Sequence, residues 1–327
     1  MNICRALGSS AVAPHTSKLM SAGLLTCLLA GVGWAQSSTD ATQRVELSFA
    51  GRLGGRPFAC GSRYENVGTK KSTVTPQDLR FFVSNVELLT ADGVAVPVTL
   101  DQDRIWQYKS VALIDLEDGT GACRNGNSAM HKVVTGSVPT GKYVGLHFTV
   151  GVPFELDHGD TLTAPSPLNM TAMFWSWQSG YKFIRAEVGA VVAPKDEEKP
   201  ATASSDQKSD TQSESDAKRR ASGFPVHLGS TGCASANQTS PPEGQCKHPN
   251  LATVSLGQFD IARDTVIFDL DKLLAGSDVT TNTPNTPPGC MSGEGDPDCI
   301  PVMKALGLPF RDTAAVPQVV FYAEARP

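Results

Sequence analysis

Two tryptophans, two histidines and nearby methionines form the densest group of side chains in this sequence that could take part in chemistry. Trp175 and Trp177 lie two residues apart, between His158 and His227 in the chain. Neutral imidazole nitrogens and thioether sulfurs are ligands that suit a soft cation such as Cu(I). The grouping therefore favours a soft-metal site, although a single histidine is more often a structural or surface residue than a ligand.

The spacing of the tryptophans also fits a purely structural role. In a β-strand, residues two apart point to the same face, so Met173, Trp175 and Trp177 would form one aromatic and thioether stripe. Such a stripe is typical of a buried sheet face. If it were exposed, Trp175 and Trp177 would instead offer a stacking platform to a sugar or a protein partner.

Other kinds of site fit the sequence poorly. The chain has neither the clustered His and Cys spacing of a structural zinc site nor an HExxH motif. Residues 157–160 contain too few carboxylates for a calcium loop. Ser230 and Ser255 do not lie in a GxSxG motif, and the candidate ligands are not accompanied by a constellation of catalytic acid and base residues. We therefore expect that the protein is not an enzyme.

The N-terminus has the features of a secretory signal peptide. Arg5 and Lys18 precede an apolar stretch at 19–35, which ends in Gly33-Trp34-Ala35 with small residues at the two positions that a signal peptidase recognises. We expect cleavage after Ala35, which leaves a mature domain at 36–327. The stretch is short and rich in Gly, Ser and Thr for a membrane span, so we expect no stable membrane insertion.

The mature chain is mildly acidic. Removing residues 1–35 takes away two positive charges, which changes the formal charge from −5 to −7. A negative net charge argues against nucleic acid as a partner.

Six cysteines remain after cleavage, and an even number in an exported chain predicts disulfides. Sequence alone does not fix their connectivity. We expect the pairs Cys60 with Cys123, Cys233 with Cys246, and Cys290 with Cys299. The last two pairs would close short loops rich in Gly and Pro.

Short alternating runs separated by Gly, Pro, Asn and Asp predict an all-β protein. We expect a single antiparallel β-sandwich-like domain with long loops, stapled by disulfides. Residues 301–306 are expected to form one short helix. The segment 193–221 is charged and almost free of apolar residues, so we expect a disordered insertion between two strands. The predicted strands are 45–49, 79–89, 111–116, 143–150, 181–192, 253–259, 265–270 and 319–323.

Several runs, taken together, carry a family resemblance. They are Asp78-Leu79-Arg80-Phe81-Phe82-Val83-Ser84, Gly151-Val152-Pro153, Asp157-His158, Pro167-Leu168-Asn169, the segment from Met173 to Phe183 with its Trp-Ser-Trp motif, His227-Leu228-Gly229-Ser230-Thr231-Gly232-Cys233, and Cys246 followed by Pro249-Asn250. The sequence resembles the secreted copper-binding MbnP family, also described as the four-Cys-motif member of the metallo-mystery pair. The resemblance extends over nearly the whole mature chain.

The resemblance implies a β-rich periplasmic protein that binds one copper and has a role in copper homeostasis. It also implies a partner, a di-haem enzyme of the cytochrome c peroxidase and MauG type, which oxidises the first tryptophan of the motif to kynurenine. That residue is Trp175 here, and His158 and His227 would be the imidazole ligands of Cu(I). His147 is the reserve candidate. A thioether could come from one of the methionines Met170, Met173 and Met291.

A different class of function stays open at this point. The chain could be a secreted β-sandwich that binds a ligand on a platform made of Trp175 and Trp177.

Overall fold

The computed structural model describes residues 41–124, 126–191 and 223–326, which fall in one compact unit. The predicted signal peptide at 1–35 and the predicted disordered insertion at 193–221 lie outside the described residues.

Strands dominate the described part of the chain, and the helices are short. The strands are β1 (Thr42–Leu53), β2 (Arg56–Pro57), β3 (Tyr64–Val67), β4 (Ser72–Leu89), β5 (Ala95–Pro97), β6 (Thr99–Leu100), β7 (Gln107–Tyr108), β8 (Val111–Asp115), β9 (Val133–Pro139), β10 (Gly145–Val150), β11 (Phe174–Ser176), β12 (Gly180–Tyr181), β13 (Ile184–Ala190), β14 (Phe224–Leu228), β15 (Ala252–Leu256), β16 (Asp264–Asp269) and β17 (Phe321–Ala325). The helices are α1 (Phe154–Asp157), α2 (Leu270–Leu274) and α3 (Cys299–Ala305), with a 3-10 turn at Thr171–Met173. Among the described residues, no helix has both the length and the apolar character needed to cross a membrane.

Two large sheets face each other across a common core. One has the order β17-β16-β1-β9-β6, with β2 beside β1. The other has the order β14-β13-β4-β10-β15, with β3, β5 and β8 also paired to β4, and β7 paired to β8. Strands β11 and β12 form a small separate sheet.

Aromatic side chains join the two large sheets. Phe49 on β1 contacts Phe81 on β4 and Phe148 on β10, with ring centroids 6.1 and 5.9 Å apart. Phe321 on β17 contacts the same two rings at 5.6 and 5.7 Å. All four residues are buried, and edge-to-face packing of this kind adds to the free energy gained by burial. The predicted β-sandwich is confirmed.

One pairing departs from the predicted antiparallel arrangement. Strands β1 and β16 are parallel, with Ser48 opposite Thr265 and Arg52 opposite Asp269. These strands are far apart in the chain, so no hairpin dictates an antiparallel arrangement. The first sheet is therefore mixed.

Each predicted strand coincides with an observed one, with shifts at the ends. The predicted strand at 181–192 is interrupted, because β12 ends at Tyr181 and β13 begins at Ile184. The longer strands β9 and β14 lie outside the predicted runs, as do the short strands β2, β3, β5, β6, β7 and β11. The predicted short helix at 301–306 is found as α3.

The six cysteines of the described chain pair as expected. Bonds join Cys60 to Cys123, Cys233 to Cys246, and Cys290 to Cys299. The last two close loops with sequence separations of 13 and 9 residues.

Candidate metal centre

Strand β14 brings His227 beside an acidic side chain of β13. Alternate residues of β14 are buried, namely Phe224, Val226 and Leu228, which leaves His227 on the opposite face. Arg185 is the partner of His227 across the strand pair, and Glu187 lies two residues further along β13 on the same face.

His227 is held in one orientation by Glu187. Its Nε2 lies 2.7 Å from Glu187 Oε1, and the His227 side chain is 12% exposed. Burial lowers the pKa of His227 although Glu187 opposes the change. Burial alone would raise the pKa of Glu187, but the hydrogen bonds from His227 and Arg185 lower it to about 2. His227 is therefore neutral at pH 7, with Nε2–H donating to the carboxylate and a lone pair on Nδ1.

His158 follows helix α1 and is buried. Its Nδ1 lies 3.0 Å from the backbone carbonyl oxygen of Trp177, which assigns the N–H to Nδ1 and the lone pair to Nε2. Burial lowers the pKa of His158, and the Trp177 carbonyl only partly offsets this. Both candidate histidines thus have the pattern found in metal-binding imidazoles, in which one nitrogen is held by a hydrogen bond and the other carries a lone pair.

Trp175 lies on β11 and packs against the β14 end. Its ring centroid is 6.4 Å from that of His227. Gly229 allows this approach, because a Cβ there would lie 2.5 Å from Trp175 Cζ3 and 2.7 Å from the Tyr181 carbonyl oxygen. Trp175 also forms part of the wall of a cleft of about 460 Å³, together with Ser230, Cys233 and Met291.

Asp157 lies next to His158 and also accepts hydrogen bonds from residues that follow Trp175 and His227 in the chain. Its Oδ1 accepts the Tyr181 N–H at 2.7 Å, and its Oδ2 accepts the Ser230 hydroxyl at 3.1 Å. Burial raises the pKa of Asp157 to about 8, although these hydrogen bonds oppose the change. Its Oδ2 is 3.3 Å from His158 Nε2. Because the pKa of Asp157 is raised and that of His158 is lowered, the two groups form a neutral contact at pH 7 and not an ion pair.

The structure brings together only part of the predicted set. Trp175 contacts His227, and His158 binds the backbone of Trp177. Met291 lines the cleft with Trp175, so of the three methionines it is the one placed beside the modification candidate.

The remaining candidates are engaged elsewhere. The reserve candidate His147 lies on β10, where its Nδ1 is 2.8 Å from Glu87 Oε2. Met170 Sδ lies 3.6 Å from an Arg80 nitrogen, and Met173 is completely buried in the core.

The stripe predicted from Met173, Trp175 and Trp177 is wrong. Met173 belongs to the 3-10 turn, and β11 ends at Ser176, so Trp177 lies in the turn before β12. The three residues therefore do not share one strand. Trp175 lines the cleft but Trp177 does not, which disfavours a two-ring platform there.

Sequence reasoning missed the residues that orient the candidate ligands. Glu187 has no distinguishing sequence context, and its contact with His227 arises from strand pairing across 40 residues. Asp157 and Gly229 do lie in motifs that carried the family resemblance. Asp157 directly precedes His158, and Gly229 lies two residues after His227, so closeness to a candidate ligand in the sequence could have identified both.

Comparisons with known proteins agree with this architecture. The MbnP family model matches residues 42–292. Among solved structures, MbnP from Methylosinus trichosporium is similar to this chain, with a TM-score of 0.71 and 30% sequence identity over 88% of this chain and 100% of that one. A search of curated proteins finds no match. The chain belongs to the MbnP family.

Proposed function

We propose that this protein binds one copper ion in the periplasm, as Cu(I), and takes part in copper homeostasis. The ligands are His158, His227 and a kynurenine formed from Trp175. The observation that carries the proposal is the placement of Trp175 beside a neutral, oriented imidazole. Family membership and the second oriented imidazole at His158 support it.

The donor set suits Cu(I) better than harder cations. Buried neutral imidazoles and a thioether favour a soft cation, and Met291 supplies a sulfur on the same cleft as Trp175. The nearby carboxylates already have partners, because Glu187 binds His227 and Arg185 and Asp157 binds Tyr181 and Ser230. Carboxylate oxygens, which calcium and magnesium require, are therefore not available in number.

Modification gives Trp175 the ligand atoms that it lacks. An indole nitrogen is a donor only and offers a metal no lone pair. Two equivalents of hydrogen peroxide, used at a haem centre, cleave the C2–C3 bond of the ring, place one oxygen on each carbon and release two molecules of water. Hydrolysis then removes the C2 carbon as formate and leaves an aromatic amine beside a ketone. Both groups carry lone pairs that can bind the copper ion.

The partner that performs this oxidation is a di-haem enzyme of the cytochrome c peroxidase and MauG type. This protein is its substrate and is not itself a catalyst. The cleft beside Trp175 gives the ring contact with solvent, which supports oxidation of the folded protein.

Copper retention in two tryptophan variants tests the proposal. Wild-type protein, Trp175→Phe and Trp177→Phe are each produced together with the di-haem partner, loaded with Cu(I) and desalted. We expect Trp175→Phe to lose the copper, because phenylalanine cannot form kynurenine, and Trp177→Phe to retain most of it. Equal copper content in wild type and Trp175→Phe would remove Trp175 from the ligand set.

A further inference from the structure

The disulfide between Cys233 and Cys246 lies against one of the candidate histidines. His158 Nε2 is 3.6 Å from Cys246 Sγ, and the nitrogen and both sulfurs lie within 4.8 Å of one another. All three residues are buried. Cys233 also lines the cleft of Trp175.

The two cysteines are also held together by backbone contacts. Thr231 and His248 form an antiparallel bridge with hydrogen bonds of 2.9 and 3.0 Å. Inside that bridge, Lys247 N–H donates to the Gly232 carbonyl at 3.1 Å. These bonds flank the disulfide and do not depend on it. After reduction, the two thiols would therefore remain side by side next to His158.

We propose that Cys233, Cys246 and His158 form a second metal site, which exists only when the disulfide is reduced. Two thiolates and one imidazole suit Zn²⁺, Co²⁺ and Cu(I), with the fourth position open to the cleft. The site shares only His158 with the copper site proposed above. It does not require the modification of Trp175.

A dithiol reductant opens the site by thiol–disulfide exchange. Its thiolate attacks Cys233 Sγ, the bond between the two sulfurs breaks, and Cys246 leaves as a thiolate beside His158. The second thiol of the reductant then attacks the mixed disulfide and releases Cys233. The reductant loses two electrons and becomes a disulfide, and metal binding displaces the protons of the two cysteine thiols.

The other two disulfides of the described chain lack an imidazole neighbour of this kind. Cys60 and Cys123 group with Glu117, whose carboxylate oxygens already accept the backbone N–H groups of Gly119 and Asn127. The Cys60–Cys123 pair therefore provides a control for the reduction of a buried disulfide without a free imidazole.

Cobalt binding to the reduced protein tests the proposal. The mature protein is reduced with the dithiol dithiothreitol, desalted without oxygen, checked for retained fold by circular dichroism, and titrated with Co²⁺. We expect one Co²⁺ per chain with the near-ultraviolet charge-transfer absorption of cobalt thiolates, and no such absorption in the oxidised protein. Bound Co²⁺ should protect Cys233 and Cys246 from alkylation, as mapped by peptide mass.

Three variants separate this site from alternatives. Cys233→Ser with Cys246→Ser should abolish the absorption, whereas Cys60→Ser with Cys123→Ser should retain it. His158→Ala should weaken Co²⁺ binding by about tenfold or more. Trp175→Phe should leave the absorption unchanged, even though it removes copper from the oxidised protein, so this site and the copper site can fail independently.

Several results would overturn the inference. They are loss of the folded circular dichroism signal as soon as Cys233–Cys246 is reduced, protection of other cysteines in the wild type, and a cobalt–thiolate absorption that survives in the Cys233/Cys246 double variant.

Discussion

Hydrogen bonds to the two candidate histidines decide which ring nitrogens are free to bind a metal. Glu187 fixes His227 through Nε2, and the Trp177 carbonyl fixes His158 through Nδ1. Residues that hold a ligand in this way also set its tautomer and basicity, and their removal commonly weakens metal binding.

We expect Glu187→Ala to weaken Cu(I) binding by about 10- to 100-fold, because His227 would lose its orientation. Glu187→Gln should recover part of the affinity, since its amide oxygen can still accept the Nε2–H. Competition with a chromophoric Cu(I) chelator measures both variants. Glu87→Ala is a matched control, because Glu87 holds His147 at 2.8 Å in the same kind of contact. An equal loss in the Glu87 and Glu187 variants would contradict the assignment of His227.

Gly229 is expected to control the position of the Trp175 ring. A Cβ at residue 229 would lie 2.5 Å from Trp175 Cζ3, so Gly229→Ala must displace the ring or the strand end. We expect this variant to lose about 1–3 kcal/mol of stability and most of its copper. Gly257→Ala is the control, because a Cβ there has no atom within 4 Å. Thermal unfolding and copper analysis of both variants measure the effect, and full copper retention in Gly229→Ala would argue against a ligand at Trp175.

The pairing of β13 with β14 builds one half of the candidate site. Val188 is opposite Phe224 and Ile184 is opposite Leu228, so the two strands pair without a break from one end of β14 to the other. The chain between them therefore needs only to connect two neighbouring antiparallel strands, which a short turn can do.

Replacing residues 193–221 with a short Gly- and Asn-containing linker should leave the fold and the copper site intact. The side-chain hydrogen bond between His227 and Glu187 joins β14 to β13, and Gly223 precedes β14. Copper content and melting temperature of the shortened chain measure the outcome. A large fall in copper content with an unchanged melting temperature would show that the replaced segment contributes to the site.

The success of prediction varied along the chain for physical reasons. Strands with clean alternation, such as those predicted at 45–49 and 253–259, were found with shifts only at their ends, because every second residue of such a strand packs into the core. Strand β14 was missed because Pro225 weakens a strand signal, and β9 was missed because Gly136 does the same.

The contacts of the site were less predictable than its residues. Trp175, His158 and His227 were identified from motifs. Their partners depend on which strands pair, and the stripe failed because the strand stops at Ser176. The sequence has a turn signal at Ser179-Gly180, but that signal lies three residues beyond the end of the strand.

Buried charges elsewhere in the fold affect the stability of the whole protein. Asp115 and Glu117 are fully buried near Arg80, which forms an ion pair with the buried Asp78. Burial, together with the charge of Glu117, raises the pKa of Asp115 from 3.8 to about 7. The folded protein therefore keeps a proton on Asp115 that the unfolded chain releases at lower pH.

This shift predicts a pH-dependent loss of stability. Between about pH 4 and pH 7 the folded state binds more protons at Asp115 than the unfolded state, so stability falls as the pH rises, by up to about 1 kcal/mol per pH unit. Asp115→Asn should remove this contribution, whatever its effect on absolute stability, and Asp92→Asn at the exposed surface should not. Urea unfolding at several pH values measures the slopes. Identical slopes in wild type and Asp115→Asn would contradict the raised pKa.

The mass of the tryptic peptide 143–182 tests the central claim most directly. This peptide carries Trp175 and Trp177, so fragment ions are needed to place any change. In protein produced with the di-haem partner, we predict a gain of about 4 Da at Trp175 for kynurenine, or about 32 Da for its formylated precursor. Oxidation of Met170 and Met173 together can mimic the larger gain but not the smaller one. An unmodified Trp175 in protein that nevertheless retains its copper would contradict the account.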